Sequence, residues 1–212
     1  MTAATRTTER RRLSARERRS RILDAAVEVF AERGYAAASM EEIARRADVV
    51  ASVIYDHFPS KRKLYVELLE LHGRALIERS VSAVPESPPR ERVRLSIEAF
   101  YEFVGEDPFV WRFLFRDPPA DPEVATVHRR IRDQATEAIA DVIGSEMAGV
   151  TGGAGGSRLE TARMLAECAR AATDGLAGWW YEHREVPRER IVAVALGLLW
   201  EGFRGLLDAR SR

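Results

Sequence analysis

The sequence predicts an all-α fold of about nine helices. Apolar residues recur at the spacing of a helix face along almost the whole chain, and no segment alternates apolar and polar residues over the length of a strand. Capping residues, prolines and glycines of the kind that begin and end helices separate these segments. With a hydrophobic content of 46%, such helices have enough apolar surface to build a core.

The first helix is predicted over residues 14–33, where one face is apolar. That face carries Ile22, Ala26, Val29 and Phe30. Gly34 follows at the position that favours a left-handed C-cap, and Tyr35 can then fold back on the last turn. The glycine therefore marks the end of this helix.

Two short helices joined by a tight turn follow. Ser39 and Glu42 have the spacing of a capping box, which predicts the start of the second helix. Residues 48–49 make the turn, and the third helix covers residues 50–57. This layout is that of a helix-turn-helix, whose second helix enters the major groove of DNA.

The third helix and the residues after it carry groups suited to DNA. Ala51 and Ser52 are small, so the start of this helix can approach base edges closely. Tyr55, His57 and Lys61 follow on one side, and a phenol, an imidazole and an ammonium group all donate hydrogen bonds to phosphate. The alternative for Tyr55 is a place in the core.

Six further helices are predicted beyond this point. Ser60 caps the fourth helix, and a proline-rich break at residues 85–89 closes it. Its apolar stripe is expected to carry Leu64, Leu68, Leu71 and Ala75. Asp-Pro pairs at residues 107–108 and 121–122 place an N-cap before a proline, which predicts two helix starts. The other three helices are expected to start near residues 90, 157 and 187. The start near residue 157 follows a glycine-rich loop at residues 149–156, and Ser157 and Glu160 have the spacing of a capping box there.

Positive charge is concentrated at the N-terminus. Residues 1–63 carry 14 Lys/Arg against 9 Asp/Glu, and residues 64–212 carry 19 Lys/Arg against 24 Asp/Glu. The net charge of zero is therefore the sum of a positive N-terminal part and a negative remainder. The excess lies in an arginine-rich arm that includes Arg16 and Arg19. Such an arm favours a polyanionic partner, because each neutralised phosphate releases counterions. The alternative is an arm that only improves solubility.

Residues 22–64 resemble the DNA-binding head of the TetR family of bacterial regulators. The resemblance lies in Arg33-Gly34-Tyr35, in Met40-Glu41-Glu42-Ile43-Ala44, in Ile54-Tyr55-Asp56-His57-Phe58, and in Ser60-Lys61 before Leu64. It implies a transcriptional regulator with a helix-turn-helix head at residues 1–60 and an effector-binding, dimerising body at residues 61–212. It also implies that Tyr55, His57 and Lys61 touch phosphates. In the family, the positions that match Ser39, Ala51 and Ser52 lie against the groove.

Three positions depart from the family pattern. The family usually has glycine where this chain has Asp48, Ser or Thr where it has Val50, and often Gly or Pro where it has Ser52. Val50 lacks the side-chain oxygen of an N-cap, which is worth about 1 kcal/mol. Asp48 can still adopt a left-handed turn conformation, and it is an alternative cap for the third helix.

An aromatic-rich segment follows in the body. Seven aromatic residues fall within residues 100–115, and a large apolar cavity is easily built from them. In the TetR family, the corresponding helices enclose a ligand. The residues expected to line such a pocket are Phe100, Phe103, Phe109, Trp111, Phe113, Phe115 and Trp179. The alternative is a filled core, where aromatic residues at helical spacing are common.

A further resemblance concerns the effector. Residues 100–103, residues 121–125 and the region from Trp179 to Trp200 look like actinobacterial TetR-type regulators of fatty-acid synthesis, which respond to long acyl chains carried on coenzyme A. The resemblance implies a small apolar effector that releases a repressor from a palindromic operator in double-stranded DNA. The alternative is a DNA-binding regulator without a small effector, acting through a protein partner or as an activator.

The last two predicted helices are expected to pair two copies of the chain. The ninth helix is apolar around more than one face, so it must be buried on both sides. Two such helices from each subunit would form a four-helix bundle, and the homodimer would engage two half-sites of an operator. The residues expected at this interface are Leu176, Trp180, Val194, Leu198, Gly202 and Leu206.

Other classes of protein lack their signatures in this sequence. The four histidines are scattered, the single cysteine is Cys168, and no metal-binding pattern, phosphate loop or nucleophile elbow occurs. The sequence therefore predicts neither an enzyme nor a resident cofactor or metal. No apolar run reaches the roughly 20 residues that span a membrane, and no signal peptide is apparent, so we expect a cytoplasmic protein.

Overall fold

The computed structural model describes residues 14–82, 87–115, 120–146 and 158–208. These residues form nine α-helices: α1 (Ala15–Ala37), α2 (Met40–Arg46), α3 (Ala51–His57), α4 (Lys61–Ile77), α5 (Pro89–Glu106), α6 (Pro108–Phe115), α7 (Pro122–Glu146), α8 (Arg158–Glu182) and α9 (Arg188–Asp208). A π-helical turn (Glu78–Ser82) continues α4. The predicted all-α class is confirmed. In the described part of the chain, no helix is both long and apolar enough to cross a membrane.

Side-chain caps begin most of these helices, and those of α4, α6 and α7 are the caps that the sequence predicts. Ser14 and Glu17 form a complete capping box on α1. Ser60 accepts the Lys63 N–H at 3.2 Å at the start of α4. Asp107 and Asp121 each accept two backbone N–H groups of the helix that follows. The glycine-rich loop at residues 149–156 and the Ser157 cap lie outside the described residues.

The end of α1 differs from the expected left-handed cap. Gly34 has φ 74° and ψ 163°, which lies outside the left-handed helical region and in one that only glycine adopts readily. Helical residues resume after it and continue to Ala37. Tyr35 does fold back, because its ring stacks on Phe30 with the centroids 6.3 Å apart.

At the start of α2 and in the α2–α3 turn, the structure confirms some of the predicted caps and conformations and corrects others. Ser39 accepts the Glu42 N–H at 3.1 Å, but the Glu42 carboxylate bonds Arg33 Nε at 3.3 Å rather than completing the predicted capping box. Asp48 has φ 55°, the left-handed conformation expected of it. Val50 nevertheless occupies the N-cap of α3, and that helix has no side-chain cap.

One continuous core joins α1–α4 to the rest of the molecule. The predicted face of α1 is buried against Ile43 of α2 and Ile54 of α3. On α4, Leu64 and Leu68 are buried as expected, but Leu71 is 49% exposed. The buried stripe of α4 runs through Leu69 and Leu76 instead, because the helix is covered on that side by α6 and α7.

The remaining helices wrap around α4 and α5. α7 packs against α4 and α8, and α9 packs against α5 and α8. The ring centre of Tyr65 on α4 lies 4.8 Å from the ring centre of Phe30 on α1 and 4.7 Å from that of Phe113 on α6. These contacts place α4 between the helix-turn-helix and the larger helical body.

Candidate functional site

The exposed side of α3 carries the residues expected to reach DNA. Ile54 and Phe58 are almost fully buried, and they hold the helix against α1 and α2. Ser52 and Tyr55 therefore face solvent, and Tyr55 is 48% exposed, which excludes the core position considered for it. Ala51 is half-buried at the first turn of α3.

Two further predicted contacts flank this surface. His57 is half-buried in the last turn of α3. Ser39 caps α2, and its hydroxyl accepts one hydrogen bond there, so its proton is left to donate elsewhere.

Lys61 has a structural role that its position in the sequence does not reveal. Its Nζ donates to the carbonyl oxygens of Ala36 at 3.2 Å and Ala38 at 2.9 Å. The ammonium group also lies 4.8 Å from the centre of the Tyr35 ring. An ammonium group has three donors, so one remains for a phosphate oxygen. Lys61 therefore anchors the connection between α1 and α2, and its phosphate contact remains a prediction.

Two arginines of the N-terminal arm, Arg16 and Arg19, differ in their surroundings. Arg16 is exposed in the first turn of α1. Arg19 forms an ion pair with Glu67 of α4, and its guanidinium lies 5.0 Å from the centre of the Phe58 ring. Arg19 thus links α1 to α4 and to the end of α3. Residues 1–13 lie outside the described residues.

Charged residues also join the head to α7. Arg62, beside Lys61 on α4, donates to Asp121 at 3.0 Å and to Glu123 at 3.0 Å. The Tyr35 hydroxyl lies 3.5 Å from the same Asp121 carboxylate. A movement of α7 therefore acts on the first turn of α4 through these contacts.

The body contains a cavity with two adjoining compartments. The first, of about 660 Å³, lies among α4, α6, α7 and α8. The second, of about 420 Å³, lies among α5, α7, α8 and α9. Ser80, Val81, Phe100, Ile139 and Thr173 line both compartments. Each of the two spaces has the size of a small-molecule site.

Three of the seven residues expected to line a pocket do so. Phe100, Trp111 and Phe115 border the first compartment, and Phe100 also borders the second. The other four, Phe103, Phe109, Phe113 and Trp179, lie outside both compartments.

The four residues outside the cavity have other neighbours. Phe113 faces the head, where its ring packs against Phe30 and Tyr65. Phe103 is buried beneath the guanidinium of Arg79, and Phe109 packs partly buried against the rest of the core. Trp179 is 45% exposed and stacks on His183 with the ring centres 4.0 Å apart. Successive aromatic residues on one short helix point in different directions, so only some of them can reach one cavity.

Sequence reasoning missed the polar residues of the first compartment. His128 Nε2 lies 3.3 Å from the Tyr65 hydroxyl, and burial together with the nearby Arg132 charge lowers the pKa of His128 to about 4. Burial raises the pKa of Asp174 to about 6, although Arg170 opposes this from 2.7 Å. The available signal was polar residues at helical spacing within the otherwise apolar stripes of α7 and α8.

The mouth of the first compartment is positively charged. Arg129 and Arg132 both line it, and both are exposed on α7. Among the described residues, neither arginine has an ion pair with a carboxylate, whereas Arg170 is already paired with Asp174. An anionic group at this mouth would therefore meet two guanidinium groups that have no ion-pair partner within 4 Å among the described residues.

One outer side of α8 and α9 is apolar and exposed. On α9, Val194 is 54% exposed and Leu198 is 65% exposed, while Gly202 is exposed beside them. Leu176 is half-buried, and the side chain of Leu206 lies outside the described residues. These exposed positions follow each other at helical spacing, so they form a single face on α9.

Trp180 does not belong to this exposed face. It is 5% exposed, and its Nε1 donates to the Val186 carbonyl at 2.9 Å. Its ring packs edge-on against Tyr101 with the centres 6.1 Å apart. Trp180 is therefore a core residue that closes the α8–α9 turn, and its predicted place in a dimer interface is wrong.

Comparison with known proteins agrees with this architecture. A sequence model described as "Bacterial regulatory proteins, tetR family" matches residues 22–68. The transcriptional activator FasR of Mycolicibacterium smegmatis is 34% identical over 203 residues, covering 94% of this chain and 89% of the relative. The transcriptional repressor KstR of Rhodococcus jostii is 34% identical over 117 residues, covering 53% of this chain and 55% of the relative.

Solved structures show the same fold. A TetR-like transcriptional regulator from Rhodococcus sp. RHA1 superposes with a TM-score of 0.75 at 26% identity, covering 92% of this chain and 100% of that one. FadR from Bacillus subtilis, solved in complex with stearoyl-CoA, gives a TM-score of 0.69 at 21% identity, covering 85% and 97%. The latter similarity concerns the fold alone.

Proposed function

The chain belongs to the TetR family and is a DNA-binding transcriptional regulator, and on that premise we propose that it is a homodimer whose affinity for a palindromic operator falls when a small effector enters the cavity. In this proposal the protein is a repressor, and effector binding relieves repression. The two sites are distinct, and their coupling is allosteric because both depend on the position of one helix.

The observation that carries the proposal is the course of α4. This helix begins at Lys61, which anchors the α1–α2 connection of the head. It ends in the wall of the first compartment, where Leu69, Leu76 and then Ser80 line the space. A ligand that moves the far end of α4 therefore changes the position of the head.

The proposed DNA contacts come from the exposed end of the head. Tyr55 and Lys61 would donate to phosphates, and Ser52 would face the groove from the first turn of α3. His57, Ser39 and Ala51 would border the same groove, with Arg16 and Arg19 near the backbone. Their exposure or edge position on the head supports these roles.

The proposed dimer uses the apolar face of α8 and α9. Val194, Leu198 and Gly202 are exposed there, and a methyl group added at Gly202 would meet no other atom of the same chain. A second copy could therefore approach α9 closely. Pairing two copies would bury these apolar side chains and place two heads on one operator.

The proposed effector has a long acyl chain and an anionic end. The second compartment is lined mainly by aliphatic side chains, including Ile97, Ile143 and Leu165, which suits a hydrocarbon chain. The first compartment opens at Arg129 and Arg132, which suits an anion. Stearoyl-CoA, the ligand in the B. subtilis FadR structure, combines these two features and is the natural first probe.

The proposal is tested by selecting DNA fragments with the purified full chain and measuring operator binding with and without stearoyl-CoA. We expect enrichment of a two-fold symmetric sequence and an affinity that falls at least tenfold when the acyl compound saturates the protein. A symmetric site without any effect of the acyl compound would retain the DNA-binding function and reject the effector. Failure to enrich any sequence would reject the operator itself.

A second candidate is transcriptional activation. FasR, which matches nearly the whole chain, is named an activator, whereas the matched repressor KstR covers about half. Transcription in vitro from the selected operator, with its native promoter, separates the two: a repressor lowers the transcript level and an activator raises it.

A further inference from the structure

The carboxylate of Asp121 divides its two oxygens between α7 and the helices beside it. Oδ1 accepts the backbone N–H groups of Glu123 at 3.0 Å and Val124 at 3.3 Å, and so caps α7. Oδ2 accepts a hydrogen bond from Arg62 Nε at 3.0 Å and lies 3.5 Å from the Tyr35 hydroxyl. Asp121, Arg62 and Tyr35 therefore form a junction between the start of α7, the first turn of α4 and the end of α1.

The junction leads directly to the helix-turn-helix. The Tyr35 ring lies beneath Lys61, whose Nζ is 4.8 Å from the centre of that ring. Lys61 also donates to the Ala38 carbonyl at 2.9 Å, and the next residue, Ser39, caps α2. A displacement of Asp121 therefore reaches the start of α2 through Tyr35 and Lys61.

The route from the cavity to the head is shorter along α7 than along α4. Ala125 of α7 lines the first compartment and follows Asp121 by four residues, which is about 6 Å along a helix. On α4, lining of this compartment begins at Leu69, which follows Lys61 by eight residues, or about 12 Å. A ligand that shifts α7 from inside this compartment therefore acts close to the junction.

Asp107, the N-cap of α6, shows which of these bonds belong to capping alone. Its Oδ1 accepts the N–H groups of Phe109 at 2.9 Å and Val110 at 3.1 Å, as Asp121 does for α7. Within the described ranges, the second oxygen of Asp107 has no hydrogen-bond or ion-pair partner, and this residue is exposed. The side chain of Asp121 is instead 14% exposed. Capping a helix thus leaves the second oxygen free, and in Asp121 that oxygen serves the junction.

We propose that Asp121, Arg62 and Tyr35 couple α7, and through it the cavity, to the DNA-reading head. They are positioning residues, since none of them lines either compartment. This rests on the proposed function, in which a ligand in the cavity lowers operator affinity. Arg129 and Arg132 of α7 lie at the mouth of the cavity, so the anionic end of the effector acts on the helix that Asp121 caps. The signal then has a route through α7 in addition to the one along α4.

The test replaces Asp121 with asparagine, which caps helices about as well but presents an amide nitrogen that cannot accept from Arg62. Fluorescence anisotropy measures operator affinity with and without saturating stearoyl-CoA. The acyl compound should weaken operator binding by at least about tenfold in the wild-type protein and by about threefold or less in Asp121→Asn. In calorimetric titration, both proteins should bind stearoyl-CoA with affinities within about twofold of each other, because the substitution lies outside the cavity.

Asp107→Asn is the matched control, because it makes the same change at the N-cap of α6 and leaves the junction intact. It should retain the full response to stearoyl-CoA. Arg62→Gln should reduce the response at least as much as Asp121→Asn, since it also loses Glu123. The double variant should match Arg62→Gln, because both changes break one contact. A full response in Asp121→Asn, an additive loss in the double variant, or an equal loss in Asp107→Asn would overturn the proposal.

A second measurement tests the junction without any effector. Coupling between two sites is reciprocal, so operator DNA alone should act on the start of α7. Hydrogen exchange of residues 121–129 in the full chain should slow when the selected operator is added to the wild-type protein, and it should change little in Asp121→Asn. An equal change in both proteins, or none in the wild type, would overturn the proposal. If stearoyl-CoA leaves operator binding of the wild type unchanged, the proposed effector is rejected, and the exchange measurement alone decides the junction.

Discussion

Replacing Lys61 with glutamine should affect both folding and DNA binding, and the two effects can be measured separately. In the free protein, the Lys61 ammonium group donates to Ala36 at 3.2 Å and Ala38 at 2.9 Å and lies over Tyr35. Hydrogen bonds from a charged donor are worth more than neutral ones, but this group is partly exposed, so we expect a total loss of about 1–2 kcal/mol. For a protein of this size, that corresponds to a fall in Tm of about 2–8 °C.

On DNA, the same substitution removes one proposed phosphate contact from each subunit. Each neutralised phosphate contributes about 0.9 to the slope of log K against log salt, so the slope for a dimer should decrease by about 2. Fluorescence anisotropy with a labelled operator between about 50 and 200 mM salt measures this slope. The affinity itself should fall at low salt and change less at high salt.

Lys63→Gln is the matched control. Lys63 carries the same charge two residues later on the same turn of α4, and it is exposed. It should leave Tm within experimental error and change the salt slope by less than Lys61→Gln does. An unchanged Tm for Lys61→Gln would refute its anchoring role, and an unchanged slope would refute its phosphate contact.

Three other predictions follow from the structure. Tyr55→Phe should leave Tm unchanged, because the side chain is 48% exposed. It should weaken operator binding by about tenfold or more without altering the salt slope. Equal affinity of the variant and the wild-type protein in anisotropy measurements would reject the phosphate contact of Tyr55. Val194→Glu, on the exposed face of α9, should convert the dimer to a monomer in sedimentation experiments, and a dimer that persists would place the interface elsewhere. Between about pH 6.5 and 4, two buried groups shift the urea midpoint in opposite directions. His128, with its pKa lowered to about 4, must be protonated on unfolding and so loses stability as pH falls. Asp174, with its pKa raised to about 6, gains stability as pH falls. Relative to the wild-type protein, the midpoint of His128→Gln should therefore rise as pH is lowered through this range and that of Asp174→Asn should fall; no change in either variant would contradict the assignment.

The helix boundaries of this protein follow from short-range signals. Ser60, Asp107 and Asp121 each cap the helix that the sequence assigns to them. A capping side chain reaches only the next turn of its own chain, so its partner is set by sequence spacing. The helix-turn-helix is predictable for the same reason, because its turn and both short helices lie within about 20 residues.

Sequence spacing alone was a poorer guide to the roles of the aromatic residues. Phe113 and Phe115 are two positions apart on α6, yet one faces the head and the other faces the cavity. Trp179 and Trp180 are neighbours, but one is exposed and the other is buried with its nitrogen bonded to Val186. Periodicity indicates that a helix has an apolar side, and it does not indicate which neighbour covers that side.

The sequence by itself determined the helical class, the order and most ends of the helices, and the identity of the DNA-reading segment, because caps, turns and apolar periodicity act between residues close in the chain. Only the tertiary structure decided that Lys61 holds the α1–α2 connection, that Trp180 belongs to the core, and that Asp121 joins α7 to Arg62 and Tyr35. Those outcomes depend on groups from distant helices, whose meeting is set by how the helices pack.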